Sequence, residues 1–246
     1  MKNADIWQIS FLATVGLCIE SANVVGYQSK DVRKGLSQQV CTFDQIGVTG
    51  GALDIQRLIP VDSNGDAVIG GEVFIQFYNY VGKYERQFYY AGADEVDDGS
   101  IEGWYDDNDE YVTYSLDANE AFQVSAAQAV SFVYSGEVNM AETDVPFRKG
   151  LSFQGNIRPV TVDIQSVIPV NDEGESIIGG EVYIQFYTFV GKFERQFYYA
   201  GKDEVDDGSI EGWYNDDDEY AEFSFASAQG FKVSAAQAGY LRFPEL

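Results

Sequence analysis

The chain contains no histidine. That removes the commonest general base, the side chain that titrates near neutrality and the commonest transition-metal ligand. Cysteine is nearly absent too: Cys18 and Cys41 form neither a CxxC pair nor a disulfide framework. Bases are scarce, 15 Lys and Arg against 40 Asp and Glu, for a net charge of −25. Such a surface repels nucleic acid and anionic membrane, since both need a basic face to displace counterions. No apolar run is long enough to span a bilayer; Ile9–Ile19 is too short. Nor is there a Gly-rich phosphate loop, a nucleophile elbow or a His-based triad. Paired carboxylates alone can run glycoside hydrolysis, but only if an apolar pocket raises one of them. Here the acids crowd turns, so no enzyme is expected.

What is present is aromatic: 17 Tyr and 17 Phe, with 25 Gly and only five Pro. These residues favour pleated, half-buried surfaces separated by turns, which indicates an all-β fold. The dominant feature is internal repetition. Residues 59–111 align without gaps to 168–220 at an offset of 109, and 40 of the 53 positions are identical. Upstream, Lys34-Gly-Leu-Ser37 matches Lys149-Gly-Leu-Ser152 at an offset of 115, so the first copy carries six extra residues between Ser37 and Asp54. The expected architecture is two tandem antiparallel β-sandwich, or small barrel, domains related by duplication, at residues 23–138 and 139–246. Residues 1–22 read either as a secretory signal or as an N-terminal strand. No Pro-, Gly- or Ser-rich spacer separates the copies, so the join reads as a nearly continuous strand, Val130–Val138 running into Asn139–Phe147.

Expected strands in the first copy are Val24–Tyr27, Leu53–Leu58, Val68–Tyr80, Tyr84–Tyr90, Gly103–Tyr105, Tyr111–Leu116, Phe122–Ser125 and Val130–Tyr134. Gly82-Lys83 fits a two-residue type II′ turn, which pairs Phe77 with Phe88 and Ile75 with Tyr90. Alternation then places Val73, Ile75, Phe77, Val81, Phe88 and Tyr90 on a core face. The opposite face carries Phe74, Gln76, Tyr78, Tyr80, Glu85, Gln87 and Tyr89, and in the second copy Tyr183, Gln185, Tyr187, Phe189, Glu194, Gln196 and Tyr198. This face is more aromatic than solvation requires. It suits packing within the domain, a subunit contact, or stacking on sugars. Trp104 and Trp213 are expected to anchor a hairpin in the core, each N–H reaching a backbone carbonyl.

Nine carboxylates lie between Asp94 and Glu110, and nine more between Asp203 and Glu219. Hard cations with oxygen ligands, calcium above all, suit such density; the alternative is a solvated acidic loop. The candidate calcium ligands are Asp94, Asp97, Asp98, Glu102, Asp203, Asp206, Asp207 and Glu211. Asp62-Ser-Asn-Gly-Asp66 opens like an EF-hand loop, but Val73 stands where its bidentate Glu belongs, so a tight turn is expected there.

With Ala22-Asn-Val-Val-Gly-Tyr27, the paired Lys-Gly-Leu-Ser segments, the Gly-Trp-Tyr-acidic turns and the Val-Ser-Ala-Ala-Gln segments in view, the chain resembles secreted bacterial tandem β-domain proteins. That resemblance implies export to the cell surface or beyond. The functional expectation is a self-associating extracellular structural protein that joins head to tail, possible partners being further copies of itself or glycans. The alternatives are a carbohydrate-binding or adhesive module using the Tyr faces, and a calcium-stabilised scaffold.

Overall fold

A computed structural model describes residues 25–43, 52–68, 70–78, 84–92, 101–117, 120–177, 179, 181–187, 193–201 and 210–246. These form an all-β molecule of small antiparallel sheets with no α-helix. Twenty strands are present among them, ten from each copy. In the first copy they are β1 (Val25–Val32), β2 (Gly35–Val40), β3 (Leu53–Asp54), β4 (Ile59–Val61), β5 (Val73–Tyr78), β6 (Tyr84–Ala91), β7 (Gly103–Tyr105), β8 (Ser115–Leu116), β9 (Ala121–Ala126) and β10 (Val130–Glu137). The second copy repeats the series as β11 (Thr143–Phe147), β12 (Gly150–Gly155), β13 (Val162–Asp163), β14 (Ile168–Val170), β15 (Val182–Tyr187), β16 (Phe193–Ala200), β17 (Gly212–Asn215), β18 (Ser224–Phe225), β19 (Gly230–Ala235) and β20 (Gly239–Phe243).

Each copy builds a five-stranded sheet, ordered β2-β9-β5-β6-β7 and β12-β19-β15-β16-β17. A three-stranded sheet, β1-β10-β4 or β11-β20-β14, and a two-stranded ribbon complete it. The inward residues Val73, Ile75, Phe77, Phe88, Tyr90, Phe122 and Val124 of the larger sheet share one buried cluster with Val32, Val130 and Phe132 of the smaller one. Alternation along β9, β15 and β19 is strict, buried then half-buried, which is the signature of a sheet with one core face.

The hairpin register differs from expectation. Phe77 pairs with Arg86 and Ile75 with Phe88, with a bulge between Phe77 and Tyr78. This displaces the pairing by two residues from a tight Gly82-Lys83 turn, which itself lies outside the described residues, as does Val81. A shift of two preserves which side chains face inward, whereas a shift of one would have inverted the sheet. Strand β2 was missed because Leu-Ser-Gln-Gln-Val lacks clear alternation. Leu53–Leu58 is a two-residue strand leading into a one-turn 3₁₀ helix at Ile55–Arg57, where Asp54 caps Gln56 N at 3.0 Å.

The six extra residues of the first copy fall between Val40 and Leu53, since β2 and β12 keep the offset of 115 and β3 and β13 that of 109. The expected continuous strand across the join is interrupted. Between Glu137 and Thr143 the chain turns, with Asn139 Oδ1 accepting from Ala141 N at 3.0 Å and Thr143 Oγ1 donating to Ala141 O at 2.9 Å. The fully buried Arg158 secures this turn, donating to Asn139 O, Ala141 O and Pro244 O, each at 2.6 Å.

The copies also touch through one another's sheet corners. Strand β2 lies against β12 and β19, and β12 in turn against β9. Val40 of the first copy is buried with the second copy's core. Glycines permit this approach: a Cβ on Gly155 would stand 2.7 Å from Val40, and one on Gly230 2.5 Å from the Gln38 backbone. Because β2 corresponds to β12 and β9 to β19, both copies present the same corner. Such a contact has the character of a closed, two-fold interface rather than one that propagates.

Candidate functional site

The outward faces of the five-stranded sheets can be read row by row from the strand registers. In the first copy, Gln38 pairs with Gln123, Gln123 with Gln76, and Gln76 with Gln87. Four glutamines therefore run in one line across the sheet, and all are half-buried. Gln76 Nε2 donates to Gln87 Oε1 at 2.7 Å. The next row reads Leu36, Ser125, Phe74, Tyr89 and Tyr105 across the same sheet. Tyr89 stacks on Tyr105 with centroids 5.9 Å apart, and its hydroxyl donates to Asp109 at 2.8 Å.

The second copy has the same two rows with altered chemistry. Its amide row is Phe153, Lys232, Gln185 and Gln196, and its aromatic row Leu151, Ser234, Tyr183, Tyr198 and Tyr214. Gln185 donates to Gln196 at 2.7 Å and accepts from Tyr187 at 3.1 Å. Tyr198 stacks on Tyr214 at 5.7 Å and donates to Asp218 at 2.9 Å. Lys232 Nζ sits 4.1 Å from the Tyr187 ring centroid and 5.1 Å from that of Phe153. Burial pulls the Lys232 ammonium below the usual lysine range.

Thus Phe74, Gln76, Gln87 and Tyr89 come together on one face, and Tyr183, Gln185, Tyr187, Gln196 and Tyr198 on the other. Tyr80, Phe189 and the Tyr78 side chain lie outside what is described. The alternation of Phe231-Lys232-Val233 places Lys232 outward, but sequence reasoning did not pair β19 with β15, because the two strands are remote in the chain. For the same reason Gln38, Gln123, Phe153, Tyr105 and Tyr214 were not linked to this face.

Of the candidate calcium ligands, Asp94, Asp97, Asp98, Asp203, Asp206 and Asp207 lie outside the described residues. Glu102 accepts from the Tyr90 hydroxyl at 2.7 Å, and Glu211 from Tyr199 at 2.8 Å and Ser176 at 2.5 Å. Burial, together with these carboxylates, raises both phenols well above their usual range. Among the described residues no cluster of three metal-ligating side chains occurs. The second acidic turn is ordered by its own backbone: Asp106 Oδ1 accepts from Glu110 N at 3.0 Å and Asn108 N at 2.8 Å, which holds its carboxyl below the ordinary range. Asp62 caps its turn in the same manner, accepting from Asn64 N at 2.7 Å and Asp66 N at 3.1 Å.

Trp104 and Trp213 are fully buried, and their Nε1 atoms donate to Leu58 O at 2.8 Å and Val167 O at 2.7 Å, as expected. Beside each lies a glutamine that the sequence did not single out. Gln165 Nε2 donates to Trp213 O at 2.9 Å and Ala221 O at 2.8 Å, while its Oε1 accepts from Trp213 N at 2.9 Å. Gln56 does the same for Trp104 and Val112. The amide thus acts as a missing piece of β-ladder and fixes the edge strand that borders the aromatic row. It fits because residue 212 is glycine, φ +156°, where a Cβ would meet Gln165 Oε1 at 2.6 Å.

An open groove of about 800 Å³ beside β16 is lined by Glu194, Arg195, Asp216, Asp217, Glu219 and Tyr220. It is carboxylate-rich, and Phe197, Ala221 and Phe223 also line it. Among the described residues no helix is long and apolar enough to cross a membrane. No protein-family model, curated protein or solved structure matches the chain.

Proposed function

We propose that this chain is a non-catalytic, extracellular binding protein that presents two amide-and-aromatic sheet faces to saccharides, one face per β-sandwich domain. The domain reading, 23–138 and 139–246, is supported by the way each copy's two larger sheets close on one core. The observation that carries the function is the pair of adjacent rows, Gln38-Gln123-Gln76-Gln87 beside the half-buried Phe74 and Tyr89, the latter backed by the buried Tyr105. A line of primary amides offers alternating donors and acceptors to a polyhydroxyl ligand. The neighbouring flat rings supply apolar area with few torsions to freeze. Duplication gives two such surfaces, so a multivalent glycan would gain by avidity. The acidic surface and the apolar run near the N-terminus fit an exported protein.

Self-association through the same faces is the second reading, favoured by the enrichment of Tyr at protein contacts. Head-to-tail growth would need a surface other than the internal junction, whose like corners close on each other. Glycan-array screening tests the primary reading. Binding is expected, and expected to be lost on combined Phe74→Ala and Tyr183→Ala substitution in a protein that still melts cooperatively. No array binding, with sedimentation showing oligomers that the same substitutions dissolve, would instead establish self-association.

A further inference from the structure

The two faces differ at one chemically decisive row. Where the first copy has Gln38-Gln123-Gln76-Gln87, the second has Phe153-Lys232-Gln185-Gln196. An amide has become an ammonium in the middle of the sheet, and the amide beside it an aromatic ring. We propose, building on the saccharide-binding reading, that the second face selects sugars bearing a carboxylate, with Lys232 as the carboxylate's partner, while the first face takes neutral sugars.

Three observations support this. The ammonium lies over the Tyr187 ring at 4.1 Å with Phe153 on its other flank at 5.1 Å, so aromatic surface rather than water surrounds much of it. Among the described residues no carboxylate lies within ion-pair distance of it, in a chain with 40 acids. The outward residues of the flanking strands, Leu151, Phe153, Tyr183, Gln185 and Tyr187, carry no charge that would neutralise it. A partly desolvated cation without an anion is costly to maintain and gains most from one supplied by a ligand. Gln185, paired directly with Lys232, is placed to receive hydroxyls of the same sugar.

The size of the ligand follows from charge. One uronate of a short oligosaccharide meets the local ammonium while the chain's remaining acids are screened over roughly 8 Å at physiological ionic strength. A second copy of the chain would bring its own net charge of −25 against the same face. The small acidic saccharide is therefore the favoured occupant.

Calorimetric titration of the full chain with a β-1,4-linked glucuronate tetramer and with the glucose tetramer of the same linkage tests the proposal. The two probes differ in whether C6 is a carboxylate or a hydroxymethyl. One of the unmodified chain's two sites is expected to prefer the glucuronate tetramer about tenfold, the worth of one charge-assisted hydrogen bond. Lys232→Gln, which installs the residue the first copy already uses at Gln123, should abolish that preference, and Lys232→Arg should retain it. Equal affinity for both tetramers, or a preference that survives Lys232→Gln, would overturn the inference and leave the saccharide reading standing. Binding of neither tetramer would overturn both. Sedimentation that reveals oligomers dissolved by Lys232→Gln would assign the cation to another copy's carboxylates and overturn it as well.

Discussion

Replacing Gln165 with alanine removes three hydrogen bonds at once: two donated to Trp213 O and Ala221 O, and one accepted from Trp213 N. At about 1 kcal/mol each, and with the half-buried site admitting some water, the loss is about 2–3 kcal/mol. For a chain of this size that lowers the melting temperature by roughly 4–12 °C. Gln165→Glu sharpens the test. At neutral pH it turns two donors into an anion facing two carbonyl oxygens, so it should destabilise more than alanine. Those carbonyls raise the introduced carboxyl's folded pKa above its unfolded value. Its contribution is therefore least damaging in acid and worsens as pH rises through the folded pKa. Differential scanning calorimetry between pH 4 and 7 reads both effects, and Gln56→Ala should reproduce the alanine result in the first copy. A melting temperature unchanged by Gln165→Ala, or a Gln165→Glu variant no worse than alanine at pH 7, would refute the ladder-completing role.

Gly155→Val places a side chain where Val40 already packs 2.7 Å from the would-be Cβ, and overpacking of this kind costs about 1–3 kcal/mol. Urea unfolding reads it, and a stability unchanged would mean the corners do not meet. Arg158→Met strands the carbonyls of Asn139, Ala141 and Pro244. A loss of about 3 kcal/mol is expected from denaturant melts, and a neutral result would deny the turn its clamp. Tyr114→Phe with Glu120→Gln installs the pair the second copy carries, Phe223 and Gln229. Burial raises the Glu120 pKa above 4.5, so ionised Glu120 costs stability as pH rises through that raised value. The double variant should melt higher than the parent at pH 7 and converge on it in acid; a constant gap across pH would refute the assignment.

The duplication, the β class and the inward face were legible because they rest on local information. Identity at fixed offset reveals the copies, and period-two alternation marks Ile75, Phe77 and Phe88 as core even when their register is displaced. The buried Trp104 followed from its size and its single donor. What sequence reasoning missed depends on strands distant in the chain becoming neighbours. Gln38, Gln123, Gln76 and Gln87 are unremarkable individually and form a row only once β2, β9, β5 and β6 lie side by side. Gln56 is likewise an ordinary polar residue until Gly103 lets its amide reach Trp104. The contact between Val40 and Gly155 was hidden because matching positions in two copies need not face each other.

The saccharide-binding reading is tested most directly by the stoichiometry of calorimetric titration with the neutral glucose tetramer. Two tetramers per chain are expected at saturation, the weaker at the Lys232 face, falling to one when either Phe74 or Tyr183 is replaced by alanine and to none when both are. Absence of binding, or two sites that persist in the double variant, would contradict it.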